Sequence, residues 1–213
     1  MIPYYIIMAI IAYLIGSVNF SILISKKKAG FDIREKGSGN AGSTNMLRSV
    51  GKKAAILTLI CDILKGVIAV LVAFIIGKIS KNVDQALLVQ IAGILVVVGH
   101  TFPIFFEFKG GKGVATSLGV LLIINWKIGL ICLVFALVIM ALSRMVSLGS
   151  IGAAVLFPVL TLFIHSNYIV QATGIKYIVF GIILAAFVIF NHRANIQRIA
   201  NGTENKLSFK NKN

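Results

Sequence analysis

The sequence predicts an all-α integral membrane protein, a single bundle of about seven transmembrane helices, two of them short. Three observations predict it. Hydrophobic residues make up 58% of the 213 and charged residues 13%, against roughly 25% charged in an ordinary soluble domain. The apolar residues fall in runs of roughly 17–25, the length that crosses a hydrocarbon core as a helix. The charge is one-sided, 21 Lys and Arg against 6 Asp and Glu, and it is distributed as the positive-inside rule requires. No polar segment is long enough to fold separately, so residues 1–213 read as one transmembrane domain.

The first span runs from Pro3 to Ile24. Its start, Met1 to Tyr5, lacks the basic leader of a cleavable signal peptide, so the span is expected to persist as a helix. A polar loop, Ser25 to Lys53, follows. The second span runs from Ala54 to Ile76 and the third from Ala86 to Phe106. Val114–Ile124 is short, and Ile128–Leu142 is only a little longer. Between them lies Asn125-Trp126-Lys127, and tryptophan favours the membrane interface. The pair reads as two short crossings, the favoured reading, or as a re-entrant hairpin buried in protein, which would leave five full spans. Val146–Ile164 and Ile175–Phe190 complete the set, and a basic tail follows.

With the Ser25–Lys53 loop in the cytoplasm, seven crossings put sixteen of the 21 Lys and Arg on the cytoplasmic side. Lys78, Lys81, Lys127 and Lys176 fall outside, and Lys65 lies within the second span. This predicts a multi-pass membrane protein with its N-terminus outside and its C-terminus cytoplasmic. The five-span alternative keeps the same sidedness for the polar patches below. Nucleic acid is excluded as a partner, since no long basic segment stands clear of the membrane. Cys61 and Cys132 lie in apolar runs without metal or redox spacing and read as packing residues. Neither a metal nor another cofactor is implied.

Three patches rich in glycine, amides and cations interrupt the apolar pattern, and the topology puts all three at the cytoplasmic face. The first is Gly37-Ser38-Gly39-Asn40-Ala41-Gly42-Ser43-Thr44-Asn45, followed by Arg48. It combines hydroxyls and amides with a guanidinium fork suited to two phosphate or carboxylate oxygens. The second, Lys109-Gly110-Gly111-Lys112-Gly113, opens onto a helix start. Glycine lets backbone N–H groups approach an anion, and helix N-termini favour phosphate. The spacing is not that of a Walker loop. The third, His192-Arg193-Ala194-Asn195-Ile196 with Arg198, ends the last span. His192 and Asn195, three apart, share a face if the helix continues.

His100, late in the third span, is an ionisable group within the membrane and hence a candidate for function. Asp62 and Lys65, at i and i+3 in the second span, read as a structural pair. Asp32-Ile33-Arg34-Glu35 reads as a surface salt-bridge run of little energetic consequence. No GxSxG, HEXXH or HxxxxD motif occurs, and no cysteine lies near the patches. A covalent acyl-enzyme is therefore not expected. Positioning and charge stabilisation are.

Several stretches together resemble one family in order along the whole chain. They are Gly16-Ser17, Asp32-Ile33-Arg34, Gly37 to Asn45 with Arg48, Asp62-Ile63-Leu64-Lys65-Gly66, Gly99-His100-Thr101-Phe102-Pro103, Phe108 to Thr116, and His192 to Ile196 with Gly202 and Glu204. The family is the bacterial acyl-phosphate:glycerol-3-phosphate acyltransferases. Asn19 departs from the family pattern, standing where many relatives have proline.

The resemblance implies one acyltransferase domain that moves a fatty acyl group from acyl phosphate to the 1-hydroxyl of glycerol 3-phosphate. The products are lysophosphatidate and inorganic phosphate, and no cofactor takes part. It implies Ser38, Arg48, Lys109, His192 and Asn195 as catalytic residues. Gly39, Asn40, Asn45, Gly110, Gly111, Lys112, Gly113 and His100 would bind substrate phosphate. Either His192 or a substrate phosphate oxygen would act as base. The resemblance places the protein in the bacterial inner (plasma) membrane, surrounded by membrane lipid with its active site at the cytoplasmic face, and implies coupling to an enzyme that forms acyl phosphate. Two other classes compete. An anion transporter would carry ionisable residues at the midplane in repeated broken helices. A membrane scaffold would need neither the Gly110–Gly111 turn nor Arg48.

Overall fold

Every apolar run of the sequence becomes a helix. The computed structural model describes residues 2–80, 83–165 and 169–207. It contains α1 (Ile2–Ser17), α2 (Phe20–Ala29), α3 (Ser43–Ser49), α4 (Lys52–Ile79), α5 (Gln85–Thr101), α6 (Val114–Ile124), α7 (Trp126–Ser143), α8 (Val146–Thr161), α9 (Gly174–Asn191) and α10 (Arg193–Ala200). Among the described residues, five helical segments are long and apolar enough to cross a membrane, and α6 and α8 are shorter apolar helices. At 1.5 Å per residue, α6 spans only about 16 Å of a core about 30 Å thick. Asn125 joins it to α7. This fully buried side chain accepts from the N–H of Ile128 at 3.4 Å and donates to the carbonyl of Ile164 at 3.1 Å.

The first span is not one continuous helix from Pro3 to Ile24. It breaks at Val18–Asn19 and restarts as α2. Asn19 is extended, and its side-chain oxygen accepts from the N–H of Ile22 at 3.2 Å and the hydroxyl of Ser21 at 2.7 Å, a side-chain cap on the new helix. The break frees carbonyls that α1 cannot satisfy. Lys65 on α4 supplies the donors, reaching Gly16 O at 3.0 Å and Val18 O at 2.9 Å while lying 3.1 Å from Asp62. The Asp62–Lys65 pair therefore does more than neutralise itself. It carries the charge that holds the broken first span against α4.

Glycines set the closest helix approaches. Gly16 of α1 lies against the backbone of Val96, and Gly99 of α5 against that of Tyr13. Gly66 of α4 meets Thr116, and Gly119 of α6 meets Ile63 in the same way. A methyl group at any of the four would run into a carbonyl oxygen. Small residues at such crossings let membrane helices pack backbone to backbone. The α1–α5 and α4–α6 pairs thus fix the position of the α5–α6 connection, which carries the second polar patch.

The tail is not merely basic coil. After α9 the chain turns at His192 into α10, then runs back until the N–H of Leu207 donates to the carbonyl of Arg144 at 2.7 Å. This carries residues 195–205 across the end of the bundle toward the loops that hold the other two patches.

Candidate active site

The first patch is shaped by Asn45. Its side-chain oxygen accepts from the N–H of Ser38 at 3.0 Å, and its amide nitrogen donates to the carbonyls of Ile33 and Lys36 at 3.0 and 2.9 Å. Asn45 is buried, and both N–H groups of its amide are given to loop carbonyls, so in this structure it builds the loop. Ser38 and Gly39 stand exposed on that loop, with Asn40 partly covered. Gly37 and Gly39 have φ of +59° and +71°, the left-handed region that glycine enters without strain.

Asp32 and Arg34 are likewise not a loose surface run. Asp32 is buried, and Arg34 donates to its two oxygens at 3.0 and 2.9 Å. The same guanidinium donates to the carbonyl of Phe106 at 2.9 Å, pinning the first loop to the second. Burial alone would raise the Asp32 pKa, but the hydrogen bonds from Arg34 and Lys26 prevail and lower it to about 2. The sequence signal was present in the Asp-x-Arg spacing. Its burial was not readable from it.

The second patch leaves α5 through Pro103 and a 3-10 turn, Ile104–Phe106. Glu107 and Phe108 both adopt φ of +57°, an uncommon conformation for residues with side chains. Lys109 follows, exposed on an open cleft of about 430 Å³ whose lining includes Asp32, Arg34, Gly39 and Glu107. The N–H of Gly110 donates to Thr101 O at 3.0 Å and that of Gly111 to His100 O at 3.1 Å. Those two groups are therefore not free for phosphate, which corrects the expectation drawn from the glycine run. The glycines are required by close approach instead. A methyl at Gly111 would strike His100 Nε2 and the carbonyl of Ala41, and one at Gly110 would strike the His100 carbonyl. Gly113, with φ +84°, turns the chain into α6. The opening N–H groups of α6, from Val114 to Thr116, have no acceptor within the helix and remain as donors at that end.

His100 is 3% exposed, wedged under Gly111 and 3.5 Å from Asp62. It is sealed beneath the second loop and supports it from below.

The third patch meets the second at Lys112. The ammonium donates to the side-chain oxygen of Asn195, and the Asn195 amide donates to Glu204 at 2.7 Å. Ser147 and Arg198 donate to the same carboxylate, each at 2.8 Å. Arg48 reaches the carbonyl of Asn205 at 3.4 Å, tying the first patch to this group. The Lys112 pKa falls from 10.5 to about 8, chiefly by burial and then by the charge of Arg198. Glu204 raises it in part, and Arg48 lowers it further. The Glu204 pKa is lowered, the donated hydrogen bonds outweighing its burial.

His192 is 3% exposed, with Nδ1 2.8 Å from the carbonyl of Val188. A carbonyl can only accept, so Nδ1 carries the proton and Nε2 holds the lone pair. Burial lowers its pKa to about 4, the Val188 bond opposing and the nearby Lys112 charge adding to the fall. The imidazole is neutral at pH 7. The helix does not run on unbroken from α9, since His192 caps α9 and begins α10, yet His192 and Asn195 both bury toward Lys112.

The structure thus brings Arg48, Lys112, His192 and Asn195 to one end of the bundle, with His100, Gly110 and Gly111 underneath. Ser38, Gly39 and Lys109 lie exposed beside them. Sequence reasoning missed Ser147 and undervalued Glu204, one of only 6 acidic residues in the chain. The isolation of that acid amid a basic tail was the available signal. Among the described residues no cluster of His, Cys, Asp and Glu could hold a metal ion.

Comparison with known proteins gives one consistent relationship. The family model described as glycerol-3-phosphate acyltransferase matches residues 6–202. A glycerol-3-phosphate acyltransferase of Clostridioides difficile (strain 630) is 43% identical over 206 residues, 97% of each chain. That of Thermoanaerobacter sp. (strain X514) is 45% identical over 208 residues, 97% of this chain and 98% of the other. The fold is similar to the crystal structure of PlsY (YgiH), an integral membrane glycerol 3-phosphate acyltransferase, in its glycerol 3-phosphate form. The TM-score is 0.84, with 36% identity and 96% of each chain covered.

Proposed function

Because the chain belongs to the glycerol-3-phosphate acyltransferase family, we propose that it acylates the 1-hydroxyl of glycerol 3-phosphate with acyl phosphate as donor, releasing lysophosphatidate and inorganic phosphate. The observation that carries the reading is the meeting of the second and third polar patches at Lys112, with Arg48 of the first tied to the same tail through the carbonyl of Asn205. The charges of Arg48 and Arg198 both bear on Lys112, with the single carboxylate of Glu204 between Lys112 and Arg198, and α6 points its free N–H groups from the same end. That is an environment for phosphate, and both substrates carry one.

The chemistry needs no covalent enzyme intermediate, since phosphate is already a good leaving group. The hydroxyl oxygen of glycerol 3-phosphate attacks the carbonyl carbon of acyl phosphate. The bond from that carbon to the phosphate oxygen breaks, and phosphate departs with its electron pair. Lys112, Arg48 and the α6 N-terminus stabilise the charge that grows on the departing phosphate. Ser38 and Lys109 line the approach of the second phosphate. His192 Nε2 accepts a hydrogen bond from the attacking hydroxyl and orients it. Burial lowers the His192 pKa to about 4 in the unliganded protein, so we assign the proton to a substrate phosphate oxygen, whose second pKa is about 6, and to His192 the orientation of the hydroxyl.

The same reading puts the site at the cytoplasmic face of the bacterial plasma membrane, with the N-terminus outside. There a soluble phosphate ester meets a lipid-tailed donor, delivered by the enzyme that makes it. The test is reconstitution in detergent or lipid with palmitoyl phosphate and glycerol 3-phosphate, following lysophosphatidate by mass spectrometry. Product from acyl phosphate is expected. Product only from acyl-CoA would overturn the donor, and no product from either would overturn the reaction.

A further inference from the structure

We propose that Ser147, which lies in none of the three polar patches, is a positioning residue for the site and acts through Glu204 to aim Asn195 at Lys112. The inference rests on the functional reading above and extends it to the α7–α8 hairpin.

Ser147 is the second residue of α8 and is 6% exposed. Its hydroxyl donates at 2.8 Å to Glu204 Oε1. That same oxygen accepts from Asn195 Nδ2 at 2.7 Å, while Oε2 accepts from Arg198 Nε at 2.8 Å. An ionised carboxylate only accepts, so this arrangement fixes the sense of the Asn195 amide. Its nitrogen must face Glu204, and its oxygen must then face Lys112, whose ammonium donates to it. Rotated the other way, the amide would direct N–H groups at the ammonium.

Arg198 cannot perform this task alone. It binds Oε2 and leaves Oε1 held only by Asn195, the group that has to be aimed. Ser147 is the one donor to Oε1 from outside the tail among the described residues. It comes from a helix that packs against both α7 and α9. The tail touches the same corner a second time, where the N–H of Leu207 donates to Arg144 O. The α7–α8 corner is therefore the anvil against which residues 195–207 are set. Buried networks of this kind transmit geometry because each member has one satisfied arrangement.

The experiment compares wild type, Ser147→Ala, Ser147→Thr, Glu204→Gln and the Ser147→Ala/Glu204→Gln double variant. Each is purified in detergent, and thermal melting is recorded beside kcat and KM for both substrates. Binding of inorganic phosphate is measured by calorimetry. S147A is expected to fold, to lose about five- to tenfold in kcat, and to bind phosphate several-fold more weakly, in keeping with the net worth of one ordinary hydrogen bond. S147T, which keeps the hydroxyl, is expected to restore kcat to within about twofold. In the E204Q background, S147A should change kcat by less than about twofold, since coupled residues are non-additive. Should S147A fail to fold, Ser147→Cys takes its place, with a weak S–H donor and an intermediate loss.

Wild-type kcat and phosphate affinity in S147A would overturn the proposal. So would a loss that multiplies in full with that of E204Q. A wild-type protein that binds phosphate but forms no lysophosphatidate overturns the functional reading alone, and the phosphate affinities of the panel then decide the role of Ser147. Absence of phosphate binding by the wild type overturns both.

Discussion

Arg34 grips Asp32 with two parallel hydrogen bonds, Nε to one carboxylate oxygen at 3.0 Å and Nη2 to the other at 2.9 Å, and spends its remaining nitrogen on the carbonyl of Phe106. Lysine cannot reproduce a planar fork. Arg34→Lys should lower stability by about 1–3 kcal/mol and loosen the contact between the first two polar loops, read as a lower melting temperature and a raised KM. The pH dependence has a definite sign. With its folded pKa depressed to about 2 from 3.8, Asp32 contributes its stability in full above about pH 4. It loses it as pH falls through about 2. Asp32→Asn should flatten that acid limb in melting curves taken from pH 5 to pH 2.

Gly111 has no room for a methyl. The added carbon would meet both His100 Nε2 and the carbonyl of Ala41, so Gly111→Ala must displace the second loop from the first. A shift of this kind should reduce kcat/KM by roughly 100-fold. Gly174→Ala, where open space surrounds the site, should cost only a modest backbone strain and leave turnover near wild type. Steady-state assays of the two variants test the contrast.

Lys112 gives opposite pH trends for binding and for stability. A bound phosphate dianion favours the charged ammonium, so phosphate affinity should weaken as pH rises through about 8. In the unliganded protein the ammonium is the disfavoured form. The folded pKa of about 8 lies below the ordinary value of 10.5, so this residue's contribution to stability should rise between pH 8 and 10.5. Calorimetry and melting curves over pH 6.5–10.5 would show both slopes, and Lys112→Gln should remove both.

Lys65 answers two orphaned carbonyls and one buried carboxylate at once. Lys65→Met leaves Asp62 uncompensated and the break in the first span without donors. A loss of about 3–5 kcal/mol is expected, read as poor yield and early melting. The double variant Lys65→Met/Asp62→Asn should recover part of the loss, because the buried charge is gone while the carbonyls of Gly16 and Val18 stay unsatisfied.

Much of this architecture was legible in the sequence, since lipid contact imposes a strong rule. Runs from Ala54, Ala86 and Ile175 had to be helices, and the polar residues between them could only gather at the ends. The break at Val18–Asn19 was not legible from hydropathy, because one asparagine barely changes the average over a span. It needed the recognition that Asn19 is an N-cap with three apolar or hydroxyl residues after it. Asn45 and the glycines at 110 and 111 stand out in the sequence as anion-binding groups, whereas in the structure their hydrogen bonds hold the loops themselves. Composition names the groups that can bind an anion, and only the fold tells which of them are already occupied by Ile33, Lys36, Thr101 and His100. The Ser147–Glu204 contact, 57 positions apart in the chain, carries no local signal at all.

The crossing of the tail over the bundle has a consequence for biosynthesis. Arg48 and Lys112 emerge from the ribosome long before Asn195 and Glu204, yet their polar partners come from that last stretch. A chain halted after α8 would be threaded into the bilayer with its anion-gathering cations in place and their counterparts still missing. If those contacts make the site, competence should arrive only when the tail folds back, and chains truncated after α8 are expected to insert but to show no turnover in a reconstituted assay.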